Sequence, residues 1–215
     1  MKETVVLLSK YIDYYAENKL PYYEKNVLHN ILNHTEKVKA RLLYYFPVKN
    51  KPSQRNSSDS EEKEASKDSW IGWHNDSGFL TALAGDFYIN DETGEILLNS
   101  PDPKSGLYIM NRSGEEIHIQ IPKDCMAVQL GECVQIITGG GLVATPHCVR
   151  GADQGYAKNI RVARISEACF IDTVPSYPLC MPKDVVRDTV LESGVKSERI
   201  PPLGTRWIEV RKFRL

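Results

Sequence analysis

From Trp70 onward, short apolar and β-branched runs alternate with turn-forming residues, and this punctuation constrains the fold more than any other feature of the chain. The runs are Phe79–Ala84, Phe87–Ile89, Glu95–Leu98, Leu107–Met110, Ile117–Ile121, Met126–Leu130, Val134–Thr138, Leu142–Thr145 and Arg161–Ile165. Between them stand Asp91-Glu92-Thr93-Gly94, Pro101-Asp102-Pro103, Arg112-Ser113-Gly114, Pro122-Lys123-Asp124 and Gly139-Gly140-Gly141. Glycine opens backbone conformations that side chains forbid, proline fixes φ, and Asp or Ser bonds its own backbone. Many short strands at near-regular spacing predict a barrel or jelly roll.

The flanks read differently. Residues 3–19 place Val5, Leu8, Ile12 and Tyr15 at helical spacing, and Pro21 ends the pattern. A second helix is predicted from about Tyr23 to Val38, with Val27, Leu28, Ile31 and Leu32 as its apolar stripe. Arg41–Phe46 reads as a strand ended by Pro47. Residues 49–69 contain no aliphatic or aromatic side chain except Ala65, so they bury too little to offset ordering entropy and are expected to be a disordered insertion. Lys183–Gly194 is a last helical stretch, followed by Pro201-Pro202 and Trp207. The expected organisation is N-terminal helices over 1–40 packed on a barrel, a core over 41–182, and a C-terminal helix and extension over 183–215. The fold class is mainly β with flanking helices, in a jelly roll.

Composition narrows the function. The formal net charge of -1 gives no reason to expect a nucleic-acid or anionic-membrane partner. No secretory pattern opens the chain, which predicts a cytoplasmic protein. The five cysteines, Cys125, Cys133, Cys148, Cys169 and Cys180, include no C-x-x-C pair and read as reduced thiols.

Three residue groups carry chemistry. His74 and Asp76 flank Asn75, and on a strand this spacing turns an imidazole and a carboxylate to one face. His147 follows 71 residues after Asp76. It would complete a two-histidine, one-carboxylate set, which leaves three coordination positions open and suits ferrous iron. Arg164 and Ser166 also share one strand face, where a guanidinium fork and a hydroxyl can take a carboxylate. Arg161 is a rival on the opposite face.

These residues stand in an order that resembles the isopenicillin N synthase-like 2-oxoglutarate and Fe(II)-dependent oxygenases. Trp73–Thr81 resembles their H-x-D-x-G-x-L-T motif, and Gly106-Leu107-Tyr108-Ile109 their G-L-Q-V strand. Gln129–Gly140 resembles N-x-G-D-x-L-Q-x-x-T-N-G, His147–Arg150 resembles H-R-V, and Arg164–Phe170 resembles R-x-S-x-x-x-F. The resemblance spans about residues 41–175 and implies a double-stranded β-helix. It also implies His74, Asp76 and His147 as Fe(II) ligands, with Arg164 and Ser166 on the tail of 2-oxoglutarate. Tyr45, in Leu42-Leu43-Tyr44-Tyr45-Phe46-Pro47, resembles the co-substrate tyrosine of the family's N-Y-Y-P strand.

The activity implied is oxidation of a small organic substrate by dioxygen, with 2-oxoglutarate decarboxylated to succinate. Two other readings are an iron oxidase that does not use 2-oxoglutarate and a non-catalytic remnant of the barrel. Two His and one Asp also suit a hydrolytic zinc site, but that reading leaves Arg164 and Ser166 without a role.

Overall fold

The computed structural model describes residues 1–48, 70–153, 155–156, 160–174, 176–200 and 203. The predicted insertion over 49–69, the Pro201-Pro202 pair and Trp207 lie outside the described residues. Two antiparallel sheets form a jelly roll. In the larger, β1 (Val38–Tyr45), β9 (Val162–Ile171), β3 (Leu80–Asn90) and β4 (Ile96–Leu97) lie side by side, and β7 (Met126–Leu130) also pairs with β3. In the smaller, the order is β2 (Ile71–His74), β8 (His147–Arg150), β5 (Gly106–Met110) and β6 (Glu116–Ile119).

Helices α1 (Lys2–Lys19), α2 (Val27–Asn33), α3 (Glu132–Ile137) and α4 (Arg187–Glu192) complete the described elements. No helix among the described residues is long and apolar enough to cross a membrane.

Strand alternation divides the larger sheet into two faces. Leu80, Ala82, Cys169 and Ile171 point toward the helices, where they join Val5, Leu28, Ile31, Leu32, Val134 and Val190 in the main core. Each fully buried Leu or Ile there contributes about 1.5–3 kcal/mol. Thr81, Leu83, Ala168 and Phe170, one residue out of phase, line a cleft between the sheets.

Several predicted elements change. The runs Phe79–Ala84, from Leu80 on, and Phe87–Ile89 are parts of one strand, β3, joined through an irregularity between Ala84 and Asp86. Val134–Thr138 is not a strand: Glu132–Ile137 is helical, and all six of its residues are buried. Leu142–Thr145 forms no strand either, and β8 starts only after Pro146, which has no N–H to give a ladder. The second helix is shorter than predicted, because β1 already starts at Val38.

The first helix turns inward only part of the stripe its apolar spacing predicted: Val5 is buried and Ile12 packs partly buried on the core, but the buried face is shifted. Its buried residues are Val5, Ser9, Asp13 and Ala16, while Tyr15 is exposed. The cause is polar. Asp13 accepts from the Tyr23 hydroxyl (2.7 Å) and from the backbone N–H groups of Leu28 (3.0 Å) and His29 (2.7 Å). These N–H groups open α2, whose N-cap residue Asn26 makes no side-chain cap. A carboxylate from the neighbouring helix therefore does the capping. Burial, and then the bond to Asp13, push the Tyr23 phenol well above its ordinary range.

Candidate metal centre

His74 is the last residue of β2 and His147 the first of β8, and the two are direct cross-strand partners. Their ring centroids lie 4.1 Å apart. Asp76 is not on the strand. It lies in the loop after β2, so the alternation that sequence reading invoked does not aim it. The loop is aimed instead from α3: Glu132 N–H donates to the Asp76 carbonyl (2.8 Å), Cys133 N–H to that of Gly78 (3.1 Å), and Gly131 N–H to that of Phe79 (2.9 Å). This close approach requires glycine at 131, where a Cβ would overlap the Gly78 carbonyl and stand 2.9 Å from the Asp76 oxygen.

One ligand atom from each of His74, Asp76 and His147 lies within 4.8 Å of the others. The His147 Nε2 is 3.9 Å from Asp76 Oδ1. Each imidazole is fixed from behind by a backbone carbonyl: His74 Nδ1 to Gly72 (2.8 Å) and His147 Nδ1 to Thr145 (2.9 Å). A carbonyl only accepts, so the proton resides on Nδ1 and both Nε2 lone pairs are free. Burial, and secondarily the neighbouring His74, push the His147 pKa down, which keeps it neutral and ready to ligate. Asp76 Oδ2 is buried and has no hydrogen-bond partner among the described residues. Free imidazole nitrogens beside a carboxylate that has one unpartnered oxygen are the donor set a divalent metal would satisfy.

The same cleft takes in Tyr45, Arg164 and Ser166. Arg164 is buried on β9; its Nη1 donates to Ser166 Oγ (3.3 Å), and its guanidinium lies 4.9 Å from the centroid of the Tyr45 ring. Tyr45 and Leu43 on β1 stand opposite Arg164 and Ser166. Tyr44, pointing the other way, bonds Asp91 on the outside. Arg161 also pairs with Asp91 (3.0 Å) and is largely exposed, so the rival arginine lies outside the cleft. Trp73 and Tyr108 pack with Met110 and Cys148, and Phe79 packs in the main core.

Sequence reading missed two cleft residues, Thr81 and Gln129, and a third, Asp86, that contacts Arg164. Thr81 and Gln129 are cross-strand partners whose side chains face the cleft, and Gln129 Nε2 is buried without a partner among the described residues. Asp86 accepts from Arg164 Nε at 2.5 Å. Gly85, an isolated glycine inside a strand pattern, was the available signal for a bulge beside it.

The sequence matches no family model and no curated protein. Among solved structures, the chain is similar to a candidate oxygenase from Shewanella oneidensis at 18% identity, with a TM-score of 0.54. That match covers 88% of this chain and 57% of the other, so the chain spans little more than half of that structure's length. It also matches dioxygenase for auxin oxidation 1 from Arabidopsis thaliana, solved with 2-oxoglutarate, at 23% identity and a TM-score of 0.46. That match covers 69% of this chain and 43% of the other. A third match is JOX2, solved with 2OG, Fe and JA, at 18% identity, covering 94% and 45% of the two chains with a TM-score of 0.49. The first of these carries the fold comparison: this chain has the jelly-roll fold of that oxygenase structure.

Proposed function

We propose that the chain is an Fe(II)- and 2-oxoglutarate-dependent dioxygenase that oxidises a small organic molecule and converts 2-oxoglutarate to succinate. One observation carries the reading: a single cleft contains both the His74–Asp76–His147 cluster and the Arg164–Ser166 pair. In this reading His74, Asp76 and His147 would hold ferrous iron. Iron, when bound, supplies the dioxygen chemistry. The chain's own residues do the rest. The two carbonyl-anchored imidazoles keep their lone pairs aimed. Arg164 and Ser166 take the distal carboxylate of 2-oxoglutarate, with Tyr45 against the guanidinium. Leu43, Leu83 and Val149 give the cleft apolar walls that exclude water.

The catalytic unit in this proposal is the 41–182 core, with the first 40 residues packed on it and 183–215 as an extension. Its partners are dioxygen and a small-molecule substrate, without nucleic acid or membrane, and its location is cytoplasmic. The test is anaerobic calorimetric titration of 2-oxoglutarate into the Fe(II)-loaded protein, with the apo-protein as control. The expected result is metal-dependent binding that Arg164→Ala weakens while iron is retained. Tight iron without 2-oxoglutarate binding would reject it in favour of an iron oxidase or a non-catalytic barrel.

A further inference from the structure

We propose that Asp86 is a positioning residue for co-substrate recognition: it holds Arg164 so that the terminal guanidinium nitrogens, together with Ser166, meet one distal carboxylate. This rests on the function proposed above.

The backbone of β3 is bent to put Asp86 where it is. Thr81 and Leu83 face the cleft, so unbroken alternation would turn Gly85 and Phe87 inward and Asp86 outward. The register shifts between Ala84 and Asp86, which places Asp86 opposite Ser166 and Tyr88 opposite Arg164. Gly85, at φ +69°, takes up the extra residue, and Phe87 is left outside, 47% exposed. A bulge beside a site re-aims a side chain, and here it exchanges an aromatic ring for a carboxylate.

The contacts of that carboxylate are specific. Arg164 is only 4% exposed. Asp86 Oδ1 takes its Nε–H, Ser166 Oγ lies against Nη1, the Tyr88 hydroxyl oxygen also accepts from Arg164, and the Tyr45 ring flanks the guanidinium. The donors left over are on the two terminal nitrogens, the edge that can grip a carboxylate bidentately. Asp86 has two opposed effects on an incoming anion: its charge repels, and its bond orients. Orientation dominates in a buried fork, because without Asp86 the Nε–H loses its acceptor and competes with the terminal N–H groups for the ligand.

The two effects predict opposite signs, so one comparison separates them. Mn(II)-loaded parent, Asp86→Ala and Asp86→Asn proteins are titrated with 2-oxoglutarate and with pyruvate, a 2-oxo acid that lacks the distal carboxylate. The expected result for Asp86→Ala is a loss of about 10–100-fold in 2-oxoglutarate affinity. Pyruvate and Mn(II) affinities should stay within about twofold of the parent. Asp86→Asn, which keeps a side-chain oxygen for the Nε–H, should recover part of the loss. Equal losses for both ligands would show a general structural role and overturn the proposal, as would unchanged or tighter 2-oxoglutarate binding. Either result leaves the proposed function standing, whereas a parent that binds neither 2-oxo acid overturns both.

Discussion

Replacing Gly131 by alanine tests whether α3 sets the metal centre through the Asp76 loop. The new Cβ would overlap the Gly78 carbonyl oxygen and stand 2.8 Å from its carbon and 2.9 Å from the Asp76 oxygen, where ordinary contact begins at 3.4 Å. All three atoms are backbone, so no side chain can rotate away. The loop or the helix must shift by about 1 Å, and packed interiors resist this at a cost of about 1–3 kcal/mol or more. For a chain of this size that lowers the melting temperature by roughly 2–12 °C. Metal ligands tolerate only about 0.2 Å of error, so the shift reaches the site. We expect Mn(II) affinity to fall about 10–100-fold, read by calorimetry on the purified variant. Far-UV circular dichroism checks that the fold persists. Gly72→Ala is the control: its Cβ would meet nothing within 4 Å, and it lies two residues before His74. That variant should stay within about 0.5 kcal/mol of the parent. A Gly131→Ala protein that holds metal within twofold of the parent would refute the argument.

Other expectations follow from single contacts. Asp13→Ala leaves the Tyr23 hydroxyl and two backbone N–H groups of α2 without their acceptor, and should cost about 3 kcal/mol in urea unfolding. A change below about 1 kcal/mol would mean that water replaces the carboxylate. His147 has a folded pKa below its unfolded value of 6.5, so the unfolded chain binds the extra proton first. The stability this contributes is complete above pH 6.5 and is lost as pH falls through the depressed folded value. Apo-protein melting curves for parent and His147→Gln, compared between pH 7.5 and 5, should show the parent falling more steeply with acid. Parallel curves would reject that assignment. Gly85→Ala forces a side chain into a left-handed backbone position at about 1–2 kcal/mol, and a variant as stable as the parent would show that the bulge relaxes.

The strands and the helical flanks were legible because their signals are local. Met126–Leu130 was predicted to the residue, since an apolar run opened by the Pro122-Lys123-Asp124 turn and closed by Gly131 leaves little freedom. Val134–Thr138 failed for a physical reason. Its Val and Ile residues favour a strand when water covers one face, but here every side chain of Glu132–Ile137 is buried. Long-range contacts then decide the conformation: Gln135 donates to the Val190 carbonyl (2.9 Å) and accepts from the Ala144 N–H (2.9 Å). Neither partner lies near enough in sequence to enter a propensity. The inward face of α1 was read only in part, at Val5 and Ile12, because Asp13 is a surface residue by type and a helix cap by position.

The candidate site divides along the same line. His74, Asp76, His147, Arg164 and Ser166 were named from spacing and resemblance, and the fold brings all five to one cleft. The geometry that aims them was not legible. Asp76 is held by a helix 56 residues away, and the two histidines meet as cross-strand partners that alternation within one strand cannot predict. Asp86 shows the limit most clearly. Counting by twos from Thr81 gives the wrong face beyond residue 84, and only the bulge restores the phase. A single inserted residue reverses every later inward and outward assignment on a strand. An isolated glycine within an apolar run therefore marks the point where counting should restart, and the polar residue just after it, here Asp86, is the one to test for a place in the site.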